Sequence, residues 1–153
     1  MIKSIAFKIF HKTRNCTFRV LGVRTVGARA LVVNNDQVLL IKHTYQEGWY
    51  TIGGAVEKNE SMRHAIFREL LEEIGLTPLE EPELFGVYHS NSEKRDDYIA
   101  FYIVKKFEMK EVYSPEIHEK KWFSLYDLPL DTTPATKRRI EEFLDQRQKT
   151  DTW

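Results

Sequence analysis

The sequence is poor in the features that would announce a special environment. It has one cysteine, Cys16, in 153 residues. A single thiol excludes an intramolecular disulfide and suits a reducing compartment. Cys16 reads as a small buried or half-buried side chain rather than a nucleophile. No apolar run approaches the ~18 residues that a membrane span needs. The opening stretch, MIKSIAFKIFHKTRN, is interrupted by Lys3 and Lys8 and shows no plausible cleavage site, so no secretory leader is expected and the expected location is cytoplasmic. Neither charge is in excess: Lys+Arg and Asp+Glu stand at 23 each. Bulk charge therefore asks for no DNA partner and no stable membrane association. There is no internal repeat, low-complexity segment or linker, so one domain is expected over residues 1–153, long enough to bury a core without staples.

What is present is unevenly placed. Lys3, Lys8, Lys12, Arg14, Arg19, Arg24 and Arg29 all precede the first acid, Asp36. Ile2, Ile5, Ile9 and Phe10 fall near helical spacing, which predicts a basic amphipathic helix over 1–14. Such a helix lies on an anionic surface, or packs on its own domain or on a second subunit, and the last would make a homodimer. The runs VGARALVV and QVLLIKHTY, joined by NNDQ, read as a hairpin. WYTI is a short strand leading into Gly53-Gly54, and ELFGVYHS, DYIAFYIVKKF and KKWFSL are further strands. A helix is expected from about Glu60 to Glu73, stopped by Gly75. A second is expected over 134–148, opened by Pro134, with a frayed tail KTDTW. The elements do not alternate regularly, which argues against a doubly wound parallel sheet.

The segment RELLEEIG concentrates the chemistry. At 100° per residue, Glu69, Glu72 and Glu73 share an arc of roughly 100°. Ile66, Phe67, Leu70, Leu71 and Ile74 take the adjoining apolar arc. Glu69 and Glu73 form an i,i+4 like-charge pair, which destabilises a helix by about 0.2–0.5 kcal/mol. They also stand near the helix C-terminus, where the dipole disfavours anions. A solvated surface face is the plain alternative, but a helix built for stability alone would carry lysines there. Clustered carboxylates facing a cavity suit a hard cation such as Mg²⁺. Arg68 lies beside Glu72, and Glu60 on its other side. Both read as structural, fixing loop and helix and holding Glu72. Gly53-Gly54 permits unusual backbone and close approach to a ligand, which leaves the carbonyl of Gly53 a possible metal ligand; a plain turn is the alternative.

From Gly54 the chain has five residues, Glu60, seven residues, Arg68-Glu69-Leu70, one residue, Glu72-Glu73, one residue, then Gly75-Leu76. This resembles the Nudix box, complete at every defining position over residues 54–76. A chance match has odds on the order of one in ten million. The hairpin before it and EIHEKKWFSLYDLP after it resemble the family's flanks, so the resemblance covers about 20–145. It implies an α/β fold, an α/β/α sandwich around a mixed β-sheet. It also implies Mg²⁺- or Mn²⁺-dependent hydrolysis of the diphosphate bond in a nucleoside diphosphate linked to a group X. A catalytically silent nucleotide-sensing module of the same fold is the alternative. By resemblance Glu69, Glu72 and Glu73 are metal ligands, with Gly53; Gly54, Glu60, Arg68 and Gly75 are structural. The general base is Glu69 or a later glutamate, Glu116 or Glu119, with the spacing before Trp122 favouring Glu119. Where many relatives have Pro-Gly-Gly-Gly this chain has IGGA, with Ile52 and Ala55, which bears on specificity more than on activity.

The substrate expected is a small nucleotide-type molecule: a nucleoside triphosphate, a nucleotide sugar or a capped RNA end. Arg29 and Lys42 are basic residues in apolar strands, and each needs a phosphate or a neighbouring acid as partner. Tyr45, Trp49, Tyr50 and Tyr88 are candidates for base stacking, with core packing as the alternative for each.

Overall fold

The computed structural model describes residues 24–91 and 96–153, so the expected helix over 1–14 and Cys16 lie outside the described residues. In chain order the elements are β1 (Thr25–Asn34), β2 (Gln37–His43), β3 (Ile52–Ala55), α1 (Met62–Ile74), β4 (Leu76–Pro78), β5 (Glu83–Ser90), β6 (Asp97–Val104), β7 (Phe107–Met109), β8 (Ile117–Ser124) and α2 (Pro134–Phe143).

β1 organises the main sheet. Along one edge it pairs antiparallel with β3 through Gly27–Ala30 and with β2 through Val32–Asn34. Along the other it runs parallel to β6, which pairs antiparallel with β5. β8 closes the free edge of β2. The order is β5-β6-β1-β2-β8, a mixed sheet. The β1–β2 turn is tight because Asn35 accepts a left-handed backbone, φ 53, which asparagine tolerates better than most residues.

Side-chain alternation divides the core in two. Ala28, Ala30 and Val32 of β1, with Leu39 and Ile41 of β2, meet Ala65, Ile66, Leu70 and Ile74 of α1. Leu31, Val33, Val38 and Leu40 turn to the other face and meet Phe101, Trp49 and Ile140 of α2. Both faces are covered, which is why these strands read as continuous apolar runs. The α/β/α sandwich is present.

The helix ends carry their own explanations. α1 starts at Met62, not at Glu60, because Ser61 caps it, accepting from the His64 N–H at 3.1 Å. It ends at Gly75, φ 72, whose N–H reaches Leu71 O at 3.0 Å. α2 ends at Phe143, short of the expected 148, and Asp145 turns left-handed at φ 55. The tail expected to fray is tied down instead. The His89 N–H donates to Asp151 O at 2.7 Å and the Trp153 N–H to His89 O at 2.8 Å, so the chain lies along β5. Trp153 packs on Tyr88 and Phe101, centroids 5.9 and 5.7 Å away. A second departure is the small β4–β7 sheet: DYIAFYIVKKF is not one strand but β6 and the start of β7, broken after Val104.

Candidate active site

The last two turns of α1 carry the acids against the β3 loop. Glu73 is 7% exposed, and its Oε2 accepts from the Gly53 N–H at 3.0 Å. Gly53 has φ 133, and the β1 backbone at Ala28 and Arg29 occupies the space a Cβ would need. The Gly54 pressure is different. A methyl there would stand 2.5 Å from Glu69 Oε1 and 2.8 Å from its Cδ. The pair is therefore no plain turn: strand pairing dictates Gly53, and the Glu69 carboxylate packed on its Cα dictates Gly54.

Arg68 knits the lower half of the motif. Its Nε and Nη2 each donate to Glu60 at 2.9 Å, a two-point fork. Nη2 also reaches Ala55 O at 3.0 Å, and Glu60 Oε2 accepts from the Glu57 N–H at 2.9 Å. Arg68 thus fastens the loop after β3 to the helix. It favours Glu69, at 2.8 Å, over Glu72, at 3.5 Å, so the acid it holds is Glu69 where the wheel had placed Glu72 beside it.

The electrostatics separate these glutamates. The Arg68 fork and the Glu57 N–H pull Glu60 down to about 2. Burial pushes Glu73 up to about 8, and the Glu69 charge adds to that; the Gly53 N–H and Arg29 act the other way. Burial also raises Glu69, against Arg68, with Glu72 and Glu116 raising it further. Glu60 is held ionised, whereas Glu69 and Glu73 resist ionisation unless positive charge arrives.

Glu116 lies close enough to raise both Glu69 and Glu73. Glu119, which the spacing favoured, does not join them. It stands opposite Lys42 in the β2–β8 register. The next residue, Lys120, is the one that reaches α1, its Nζ at 3.4 Å from Ile74 O, so alternation turns Glu119 to the other face. A register irregularity follows between Lys42 and His43, just before Glu119 in β8, so spacing alone does not give the face on which Glu116 emerges.

Arg29 donates to Thr51 O at 3.0 Å and lies within electrostatic reach of Glu73. Lys42 pairs with Asp131 at 2.8 Å and sits 4.8 Å from the Trp49 ring. Tyr45 packs on His43, centroids 4.9 Å apart, and Tyr50 on the same ring at 5.3 Å. Trp49 and Tyr88 are core: Trp49 meets Phe123 edge-on, and the Tyr88 hydroxyl donates to Glu142.

Among the described residues no three acidic, histidine or cysteine side chains converge tightly enough to hold a metal ion. Glu73 is turned to Gly53, Glu69 to Arg68, and the Glu72 side chain is 62% exposed. The donor chemistry nevertheless fits a hard divalent cation. Every donor is a carboxylate oxygen, and the mutual repulsion of Glu69, Glu73 and Glu116 is what such an ion relieves.

The family whose profile matches the chain is the NUDIX domain, over residues 23–144. A Bacillus subtilis (strain 168) protein provisionally named 8-oxo-dGTP diphosphatase is 31% identical over 125 residues, 81% of this chain and 83% of that protein. An RNA pyrophosphohydrolase of Hydrogenovibrio crunogenus is 43% identical over 49 residues, 31% of this chain and 30% of its own length. Among solved structures, the MutT NUDIX hydrolase of Burkholderia pseudomallei matches with a TM-score of 0.68 at 29% identity, covering 78% of this chain and 97% of that one.

Proposed function

The chain belongs to the Nudix family and is a hydrolase of that kind; from that premise we propose that it cleaves the diphosphate bond of a small nucleoside diphosphate-X, in the first place a nucleoside triphosphate. The observation that carries this reading is the Glu73 carboxylate, buried at the end of α1 and held by the Gly53 N–H, with the Glu69 carboxylate packed on Gly54 beside it. Two acids set at a buried helix end, against the preference of the helix itself, make sense as part of a cation and water site. The relative covering 81% of the chain is named for a nucleoside triphosphate, whereas the RNA-directed relative matches over 31%, and this favours the small substrate. A silent sensing module has no reason to keep every acid of the box.

Glu69, Glu72 and Glu73 would hold Mg²⁺ or Mn²⁺, with the carbonyl of Gly53 available beside them. Such an ion, bound there, would supply charge neutralisation of the diphosphate and acidification of a water. The chain's own groups do the rest. Glu116 accepts the proton of the attacking water, a task suited to a carboxylate whose neighbours are themselves anionic. Gly53 holds Glu73 in place through its N–H. Arg68 and Glu60 keep the loop and the helix in register, so that Glu69 stays over Gly54. Arg29, near Glu73, offers positive charge to a phosphate.

The test compares Glu116→Gln with Glu119→Gln in Mg²⁺-dependent turnover of a nucleoside triphosphate. Glu116→Gln is expected to lower kcat by roughly 10²–10⁴-fold, the range a general base supplies. Glu119→Gln is expected to stay within a few-fold of the parent. The reverse ranking would remove Glu116 from the mechanism.

A further inference from the structure

The segment that delivers Glu116 also carries an aromatic ring with no structural use. Tyr113 is 91% exposed. Among the described residues it has no hydrogen-bond, ring or ionic partner. An exposed tyrosine is ordinary on a loose loop, but this loop is fastened at both ends. The Lys110 N–H donates to Gly75 O at 2.9 Å, immediately after the acidic helix. At the other end the Thr44 N–H donates to Glu116 O at 2.8 Å and the Thr44 hydroxyl to Pro115 O at 3.2 Å. The Ile117 N–H closes a turn on Ser114 O at 3.3 Å. Tyr113 therefore stands three residues before Glu116 on a span that runs from the end of α1 to the end of β2. The second tether belongs to Thr44, and the next residue is Tyr45.

We propose that Tyr113 is a specificity-determining residue that stacks on the nucleobase of the substrate while the phosphates lie toward the cation that Glu69, Glu72 and Glu73 would hold. A tyrosine ring provides a rigid, amphipathic face at low entropic cost, and every base offers a π-face to it. The two tethers explain why the ring can wait in solvent without collapsing onto the protein: the segment is positioned by backbone bonds, not by the side chain. Stacking of this kind discriminates nucleotides from bare polyphosphates without choosing strongly between bases. The inference rests on the proposed function for its substrate class.

The experiment measures binding and turnover separately. Affinity for a non-hydrolysable nucleoside triphosphate analogue and for inorganic tripolyphosphate is read by calorimetry with Mg²⁺ for the parent, Tyr113→Ala and Tyr113→Phe. Hydrolysis of the parent nucleotide is read alongside. Tyr113→Ala is expected to weaken nucleotide binding and raise KM by roughly ten- to a hundredfold, the range lost with one aromatic–base stack. Its kcat and its tripolyphosphate affinity should be unchanged, and Tyr113→Phe should restore the parent values. Equal nucleotide affinity in parent and Tyr113→Ala overturns the stacking role, as does an equal loss for tripolyphosphate. A parent that hydrolyses nothing, while Tyr113→Ala still loses nucleotide affinity, overturns the proposed function and leaves the stacking role standing.

Discussion

Glu73 has one backbone N–H for a partner and two acids for neighbours. Burial raises its folded-state pKa from the ordinary 4.5 to about 8. A carboxylate raised in this way contributes stability that is full below its unfolded value and is lost as pH climbs through the folded one. Without divalent cation, the melting temperature should therefore fall between about pH 5 and about pH 8, and Glu73→Gln should flatten that fall. Added Mg²⁺ should raise the melting temperature more at the alkaline end, because the ion displaces the proton. A cation-free melting temperature that rises over this window in the parent would contradict the assignment. Glu60 has the opposite sign and a different window: held down to about 2 by Arg68, it stabilises above 4.5 and loses that only in strong acid. The sequence exposed the like-charge crowding, because helical spacing is simple arithmetic. It did not reveal which later glutamate approaches, because that depends on which face of β8 each residue takes when the strand pairs with β2.

At the level of elements, the β3 loop and α1 are interlocked through two adjacent glycines with different duties. Gly53→Ala places a methyl against the β1 backbone, 2.7 Å from Arg29 Cα, at φ 133. Backbone cannot step aside cheaply, so this variant should lower the melting temperature markedly, with a loss of stability of ~2 kcal/mol or more. Gly54→Ala meets only the end of the flexible Glu69 side chain. It should leave the melting temperature nearly untouched while cutting turnover, since Glu69 must swing away. Equal stability losses in the two variants would refute the distinction. Strand and helix positions were legible where the periodicity is strong: the β1–β2 hairpin, β5 and the stop at Gly75 all follow from local chemistry. The β4–β7 pair was not, because LTP and FEM are too short to carry an alternating pattern.

Over the whole molecule, the sandwich is closed by residues far from the acids. Arg139 is fully buried, 3.8 Å from the Tyr88 ring, paired with Glu142 at 2.8 Å and donating to Thr152 O at 3.1 Å. A buried ion pair needs its remaining donors satisfied, and here the tail supplies one acceptor while Trp153 covers the ring stack. Local propensity marks KTDTW as loose; only its contacts with β5 and α2 order it. Trp153→Ala should cost roughly 2–4 kcal/mol in a denaturation series, somewhat under the loss for a fully enclosed tryptophan. Its kcat should hold, because the tail packs against β5 and α2 rather than α1. A loss below ~0.5 kcal/mol would mean that the tail is an ornament of the fold.

The central claim is that the acids of α1 serve hydrolysis of a nucleotide diphosphate bond with a divalent cation. The most direct test is product release from a panel of nucleoside triphosphates, nucleotide sugars and capped RNA ends, with Mg²⁺ and with a chelator. The account predicts cleavage of a small nucleotide, nucleoside triphosphates first, that vanishes when the cation is removed. Turnover that persists in chelator, or none across the panel in a protein that binds Mg²⁺ by calorimetry, would contradict it.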